Sequence, residues 1–222
     1  MLFRSLITVS ETSREHILEF LGSVEAPVEV IRNGVSEIFT QGSPAPESDA
    51  PFMLVVAPHK PHKNLVLLAR ILQHLPELDG WRLIAVGPDV EDRRAIVKAS
   101  GVAGLADRID VPGLCSDEEL RDLYRAAAVV VVPSLLEGFG LPALEARACG
   151  TRVLAPDLPW ARDLLDAGVE LVSGWDPRNW ARIIQSDWVR MGSEGWEVPR
   201  WRDASEATLA VLERVATRAA LA

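Results

Sequence analysis

From Phe52 onward, short apolar runs of strand length alternate with amphipathic stretches of helical period, and this pattern constrains the fold more than any other feature. Residues 52–56 read as a strand and 64–75 as a helix. Residues 81–86 read as a strand closed by Gly87-Pro88, and 91–100 as a helix. A short strand follows at 109–111, then a helix over 117–127 with Ser116 as its cap and Glu119 at the capping-box position. Beyond it come a strand at 128–132, a helix at 141–149 and a strand at 153–155. A short helix at 160–166, a strand at 170–172 and a helix at 179–184 complete the series. Apolar strands separated by amphipathic helices predict a parallel sheet covered on both faces, an α/β Rossmann-like doubly wound domain. The unbroken apolar run 128–132 suits a central strand of such a sheet.

The flanking segments read differently. Residues 6–9 form a strand candidate, and Ser10, Thr12 or Ser13 can cap a helix running to about Leu21. A second strand at 28–31 ends in the turn signal Asn33-Gly34. Residues 42–51, rich in Pro, Ser, Ala and Asp and without periodicity, read as a linker loop. Residues 192–199 read as irregular, and a last helix is expected over 204–219.

Composition narrows the function classes. The chain has 222 residues, with 48% apolar and 25% charged side chains, which excludes a disordered tail, a collagen-like fibre and a coiled coil. A net charge of −9 argues against nucleic acid as a partner. No apolar stretch approaches membrane-spanning length, so no transmembrane segment is expected, and no secretory segment is read at the start. Cys115 and Cys149 have no metal-type spacing and fit packed small residues in a reducing cytoplasm. The expected location is cytoplasmic, with peripheral attachment to a membrane left open.

In an open parallel sheet, ligands bind beyond the carboxyl ends of the strands. The loop after 52–56 is Ala57-Pro58-His59-Lys60-Pro61-His62-Lys63-Asn64, which gathers two of the three lysines just before a helix. Cations beside a helix N-terminus suit a phosphate. A solvated loop that is merely basic is the alternative, and the stretch alone leaves both open. The loop after 128–132 carries Glu137-Gly138-Phe139-Gly140-Leu141-Pro142 and then Glu145. Its glycines allow close backbone approach, Pro142 suits a first helical turn, and two carboxylates can reach one cleft and accept from sugar hydroxyls. The third loop, Val111-Pro112-Gly113-Leu114, can present backbone to a flat base but by itself reads as a turn.

The segment 134–157 closely resembles the donor-site signature of retaining glycosyltransferases of family 4, which have the GT-B fold. That family carries two glutamates eight positions apart around a Gly-rich turn, matched here by Glu137 and Glu145. Val30-Ile31-Arg32-Asn33-Gly34-Val35 resembles its interdomain hinge, Pro61-His62-Lys63-Asn64-Leu65 its diphosphate loop, Tyr124-Arg125-Ala126-Ala127 the end of the helix after its base-binding loop, and 201–209 its C-terminal Trp-containing helix. The resemblance implies one GT-B half-domain: residues 1–41 as a remnant of an N-terminal acceptor domain plus hinge, 42–51 as linker, 52–200 as the nucleotide-sugar-binding domain, and 201–222 as a helix packing back toward the hinge. It implies that Glu145 holds the ribose, that Lys63 neutralises the departing diphosphate, and that the N–H groups of Gly138, Phe139, Gly140 and Leu141 hold the transferred sugar and phosphate. Glu137 would contact that sugar, and Val111 and Leu114 would flank the base. No cofactor and no metal are implied; the substrate is a nucleotide-diphosphate sugar, and the chain contains no Asp-x-Asp string. The Pro-His-Lys-Asn loop is similar to that of mannosyltransferases, which puts GDP-mannose beside UDP-sugars and dTDP-sugars.

Two departures from the family matter. Ala57-Pro58 stands where many members have Gly-Arg, so either His59, Lys60 or His62 substitutes as the second diphosphate contact or diphosphate binding is weaker. Roughly one half of the expected enzyme is also absent, so the chain alone is expected to be inactive. It would be either a fragment of a longer chain that carries the N-terminal acceptor domain or one subunit of a split enzyme that needs a separate acceptor-domain subunit, with self-association as the alternative. A non-catalytic nucleotide-sugar-binding or regulatory module is the competing reading. A dinucleotide oxidoreductase is disfavoured, because no Gly-x-Gly-x-x-Gly follows the first strands.

Overall fold

The computed structural model of the chain describes residues 4–22, 25–42, 50–76, 80–87, 90–102, 104–164, 168–187 and 196–220. Among these, six parallel strands form one sheet: β3 (Phe52–Val56), β4 (Arg82–Val86), β5 (Ile109–Gly113), β6 (Val129–Val131), β7 (Val153–Pro156) and β8 (Glu170–Val172). Their spatial order is β5-β4-β3-β6-β7-β8. The order runs outward in both directions from the β3/β6 pair, so the winding reverses there, and helices leave the two strands toward opposite faces.

The pleat explains the double cover. Met53 and Val55 of β3 join a core with Leu68, Ile71 and Trp180. Phe52 and Leu54, one residue out of phase, join the opposite core with Val130, Leu144 and Trp160. The first core lies under α2 (Leu65–Leu72), α3 (Val90–Ser100) and α7 (Pro177–Ile184). The second lies under α4 (Asp117–Ala126), α5 (Leu141–Ala148) and α6 (Pro159–Arg162). Ser116 and Glu119 form the full capping box at α4. Cys149 is buried in the second core, and burial pushes its thiol up to about 11, which suits the packing role read from the sequence.

A smaller parallel pair, β1 (Leu6–Thr8) with β2 (Val28–Val30), is joined by α1 (Glu11–Leu21). From it the chain passes through Gly34 into the large domain, and it returns at Arg200. The two passages touch: Val35 bridges Arg200, and the Val35 N–H donates to the Pro199 carbonyl at 2.8 Å. A Cβ on Gly34 would lie 1.9 Å from the Trp201 nitrogen, so only glycine fits the crossing. Helix α8 (Trp201–Ala220) then packs beside the small sheet. It begins three residues before the expected start at 204, because Pro199 is the last breaker and nothing after it interrupts the helix. Most of the expected linker 42–51, the end of the expected helix 160–166 and the first half of the irregular segment 192–199 lie outside the described residues.

The far edge of the large sheet is tied by one buried cation. Arg152, only 4% exposed, donates Nε and Nη2 to the two carboxylate oxygens of Glu170 at 2.8 and 3.0 Å. It also donates to the carbonyls of Ile183, Ile184 and Ser186 at 2.9 to 3.3 Å, which closes the C-terminal end of α7 onto the sheet. Glu170 is partly exposed, which screens the pair, but the carbonyl bonds are charge-assisted. Arg152→Ala is expected to cost about 2–3 kcal/mol and to lower the melting midpoint by about 5–10 °C in a thermal scan. Arg152→Lys should recover little of this, since an ammonium cannot form the fork.

Candidate active site

The site is built where the winding reverses. β3 and β6 are hydrogen-bonded neighbours, with Met53 opposite Val129 and Leu54 opposite Val130. After β3, residues 57–60 lead into a 3-10 turn at Pro61–Lys63, and Asn64 takes a left-handed conformation (φ 51) before α2. After β6, residues 132–140 form the Gly-rich loop. The Leu135 N–H donates to the His62 carbonyl at 2.7 Å, which fastens one loop to the other. The same approach sets the Lys63 ammonium 2.6 Å from Glu137 Oε1. These side chains are 16% and 12% exposed, so the pair is largely withdrawn from water and its mutual attraction is little screened. Two residues 74 positions apart thus meet at one end of the sheet.

Gly140 caps α5 in a left-handed conformation (φ 79), and a Cβ there would also meet Leu164 Cδ1 at 2.9 Å. Backbone and space both demand glycine. Pro142 lies in the first turn, as its missing N–H requires. Among the described residues, none accepts a hydrogen bond from the N–H groups of Gly138, Phe139, Gly140 or Leu141. Four successive amide donors are left for a ligand, next to the positive end of the α5 dipole. The Gly138 carbonyl is engaged on its other side. It accepts from Ser10 Oγ at 2.6 Å and Ser13 Oγ at 3.2 Å, in the first turn of α1. The Thr12 N–H and Oγ1 donate to Asp163 Oδ2 beside α6, so α1 is seated on the large domain at two points.

Glu145 stands on the second turn of α5, half-buried, and its Oε2 accepts from the Tyr124 hydroxyl at 2.9 Å. Burial raises its carboxyl above the usual range, and the bond from Tyr124 counters part of that rise. Burial holds the Tyr124 phenol well above its ordinary value, so it stays a neutral donor. Opposite, His59 Nδ1 lies 2.7 Å from Asp92 Oδ1 at the start of α3.

The candidates therefore fall into groups. Lys63 and Glu137 are in direct contact, and the loop 138–141 connects them to Glu145. His59 is on the same loop as Lys63 but pairs with Asp92. Val111 is half-buried and Leu114 is exposed, both at the end of β5, two strands away from β3; Phe139 and Leu141 are half-buried. Four residues had no part in the site as read from the sequence: Tyr124, Asp92, and Ser10 and Ser13, which were read only as helix caps and act on Gly138. Only Tyr124 left a signal, as the sole tyrosine of the chain, placed on the helix just before the central strand. Among the described residues there is no cluster of three His, Cys, Asp or Glu that could hold a metal, and no helix long and apolar enough to cross a membrane.

Known proteins share the family pattern and the fold. The sequence pattern of the glycosyl transferases group 1 matches residues 36–186. A D-inositol 3-phosphate glycosyltransferase of Streptosporangium roseum is 32% identical over 91% of the chain, which covers 49% of that protein. The chain spans about half the length of the curated relatives it matches. A glycosyltransferase from Rickettsia africae superposes with a TM-score of 0.75 at 18% identity, over 96% of this chain and 63% of the other. HepE of Anabaena, solved with UDP and glucose, gives a TM-score of 0.67 at 23% identity, over 82% and 52%. With its sequence pattern matched over most of its length and its fold shared, the chain belongs to the group 1, family 4 glycosyltransferases and forms the C-terminal half of their GT-B fold.

Proposed function

We propose that the chain binds a nucleotide-diphosphate sugar and is the donor half of a retaining hexosyltransferase. One observation carries this reading: Lys63 and Glu137 meet at the reversal of the winding, beside four free amide donors and the Glu145 carboxylate. When a sugar leaves a nucleoside diphosphate, negative charge builds on the departing phosphate. A cation and preorganised N–H groups stabilise that charge without reorganising. Lys63 supplies the cation, and residues 138–141 supply the donors. Glu137 faces the transferred sugar, Glu145 the ribose, and Val111 and Leu114 the base. His59, oriented by Asp92, takes the place of the arginine that many family members use on the diphosphate. No metal has a role in this scheme. UDP is the first nucleotide to test, because HepE, which shares the fold, was solved with UDP and glucose. GDP and dTDP follow.

The acceptor falls, on this reading, to the other half of the family's two-domain fold, beyond the half that this chain spans. The small sheet and α8 offer a place for it. A groove of about 370 Å³ there is lined by Ile7, Val9, Ile31, Trp201, Leu209 and Leu212. A two-stranded parallel sheet does not stand alone in water, and its apolar surface calls for further strands or a covering layer. We place the acceptor half on this face.

Calorimetric titration with UDP, GDP, dTDP, ADP and NAD tests the reading. One nucleoside diphosphate should bind in the micromolar range, and Glu145→Ala should lose about tenfold or more. A folded chain that binds none of the five, or binds NAD best, would refute it.

In the free chain Lys63 is already neutralised by Glu137, so a diphosphate must compete for it. Glu137→Gln is expected to bind UDP at least as tightly as the parent chain while losing any preference for the UDP-sugar over UDP. Lys63→Ala should weaken both about tenfold. Sugar transfer is expected when the N-terminal half of the Streptosporangium roseum relative is added. Leu209→Glu with Leu212→Glu should abolish that transfer and leave nucleotide affinity unchanged.

A further inference from the structure

On the basis of the donor reading above, we propose that Tyr124 is a positioning residue for nucleotide recognition: its hydroxyl fixes Glu145 so that the carboxylate reads the ribose hydroxyls. Tyr124 is fully buried on the last turn of α4, and its hydroxyl reaches Glu145 Oε2 at 2.9 Å. A buried phenol needs a partner, and the partner here is a charged group of the candidate site rather than a carbonyl of the core. The ring and the backbone of Tyr124 are each held. Phe39 meets it edge-on, with centroids 5.7 Å apart and planes at 75°. The Tyr124 carbonyl accepts from Thr151 Oγ1 at 2.5 Å, between α5 and β7. The direction of the hydroxyl is therefore set by the core and not by the ligand.

The effect on Glu145 follows from its chemistry. A glutamate on a helix has three rotatable bonds, and ordering it at the moment of binding costs affinity. With Oε2 tied to Tyr124, that cost is met on folding. Among the described residues nothing bonds to Oε1, which leaves it and the remaining lone pairs as acceptors in a fixed direction. Vicinal ribose hydroxyls are donors that suit such an acceptor, and a deoxyribose lacks one of them. Tyr124 thus does not touch the nucleotide. It acts by making the carboxylate selective for the full diol.

The test compares UDP, 2′-deoxy-UDP and 3′-deoxy-UDP by calorimetry on the parent chain, Tyr124→Phe, Glu145→Gln and the double variant. Tyr124→Phe keeps the ring against Phe39 and should melt within a few degrees of the parent. The parent is expected to favour UDP over at least one deoxy analogue by about tenfold. In Tyr124→Phe, UDP should weaken by about three- to tenfold, the deoxy affinities should hold, and the ratio should approach one. In the Glu145→Gln background the same change should have no further effect. Phe39→Leu, which loosens the ring but keeps the hydroxyl, should shrink the ratio as well. Unchanged discrimination in Tyr124→Phe, or equal weakening of all three nucleotides, overturns the proposal while the donor reading stands on the parent and Glu145→Gln results. Absence of nucleotide binding by the parent chain overturns both.

Discussion

Everything at the cleft depends on the ladder between β3 and β6. These strands are far apart in sequence, yet they lie side by side and point the same way. Their loops emerge at the same end and then part, one toward α2 and the other toward α5. Parallel strands whose connections leave in opposite directions open a crevice at that point without any special loop design. The Leu135-to-His62 backbone bond closes the floor of the crevice, and the Lys63–Glu137 pair sits across it. A shift of one residue in the β3/β6 register would turn these side chains away from each other.

The electrostatics of the crevice are local. The chain as a whole is acidic, and its long-range field does not draw in an anion. An anion bound in the proposed site would be held by a few groups close at hand. The free amides of 138–141 have fixed partial charges and carry no counterion. Lys63 carries a full charge, but Glu137 balances it until something else competes. Glu145 is held apart from this pair by its own donor, Tyr124, and by the length of the Gly-rich turn. Each carboxylate of the site thus has a different partner, and so a different chemistry.

Much of this was legible in the sequence. The strands and helices were marked by their period, and Ser116 with Glu119 announced the start of α4. Glycine at 140 was readable because a loop, a proline and a helix follow one another within a few residues. The pairing of Lys63 with Glu137 was not readable, since no local pattern specifies which strands become neighbours. The role of Tyr124 was hidden for the same reason: its helix lies against α5 only because the sheet order brings β5 and β6 onto one sheet and both helices onto one face. Gly34 resembled part of a hinge, yet its steric reason lies in Trp201, on a segment 167 positions away. The early start of α8 escaped because helix ends are weakly coded where no cap or breaker intervenes.

The touching passages at Val35 and Arg200 have a mechanical consequence. Two strands of backbone that run side by side, hydrogen-bonded at Val35 and packed without clearance at Gly34, behave as a strap rather than as a pair of loose tethers. A strap bends readily across its width and resists being twisted or sheared. If the small sheet moves against the large domain, the motion is confined to a swing about one axis near the Val35–Arg200 bridge. Ser10 and Ser13 lie on the swinging part, and the Gly138 carbonyl lies on the fixed part. A swing of this kind would make and break those two hydrogen bonds together, as a hasp meets its staple.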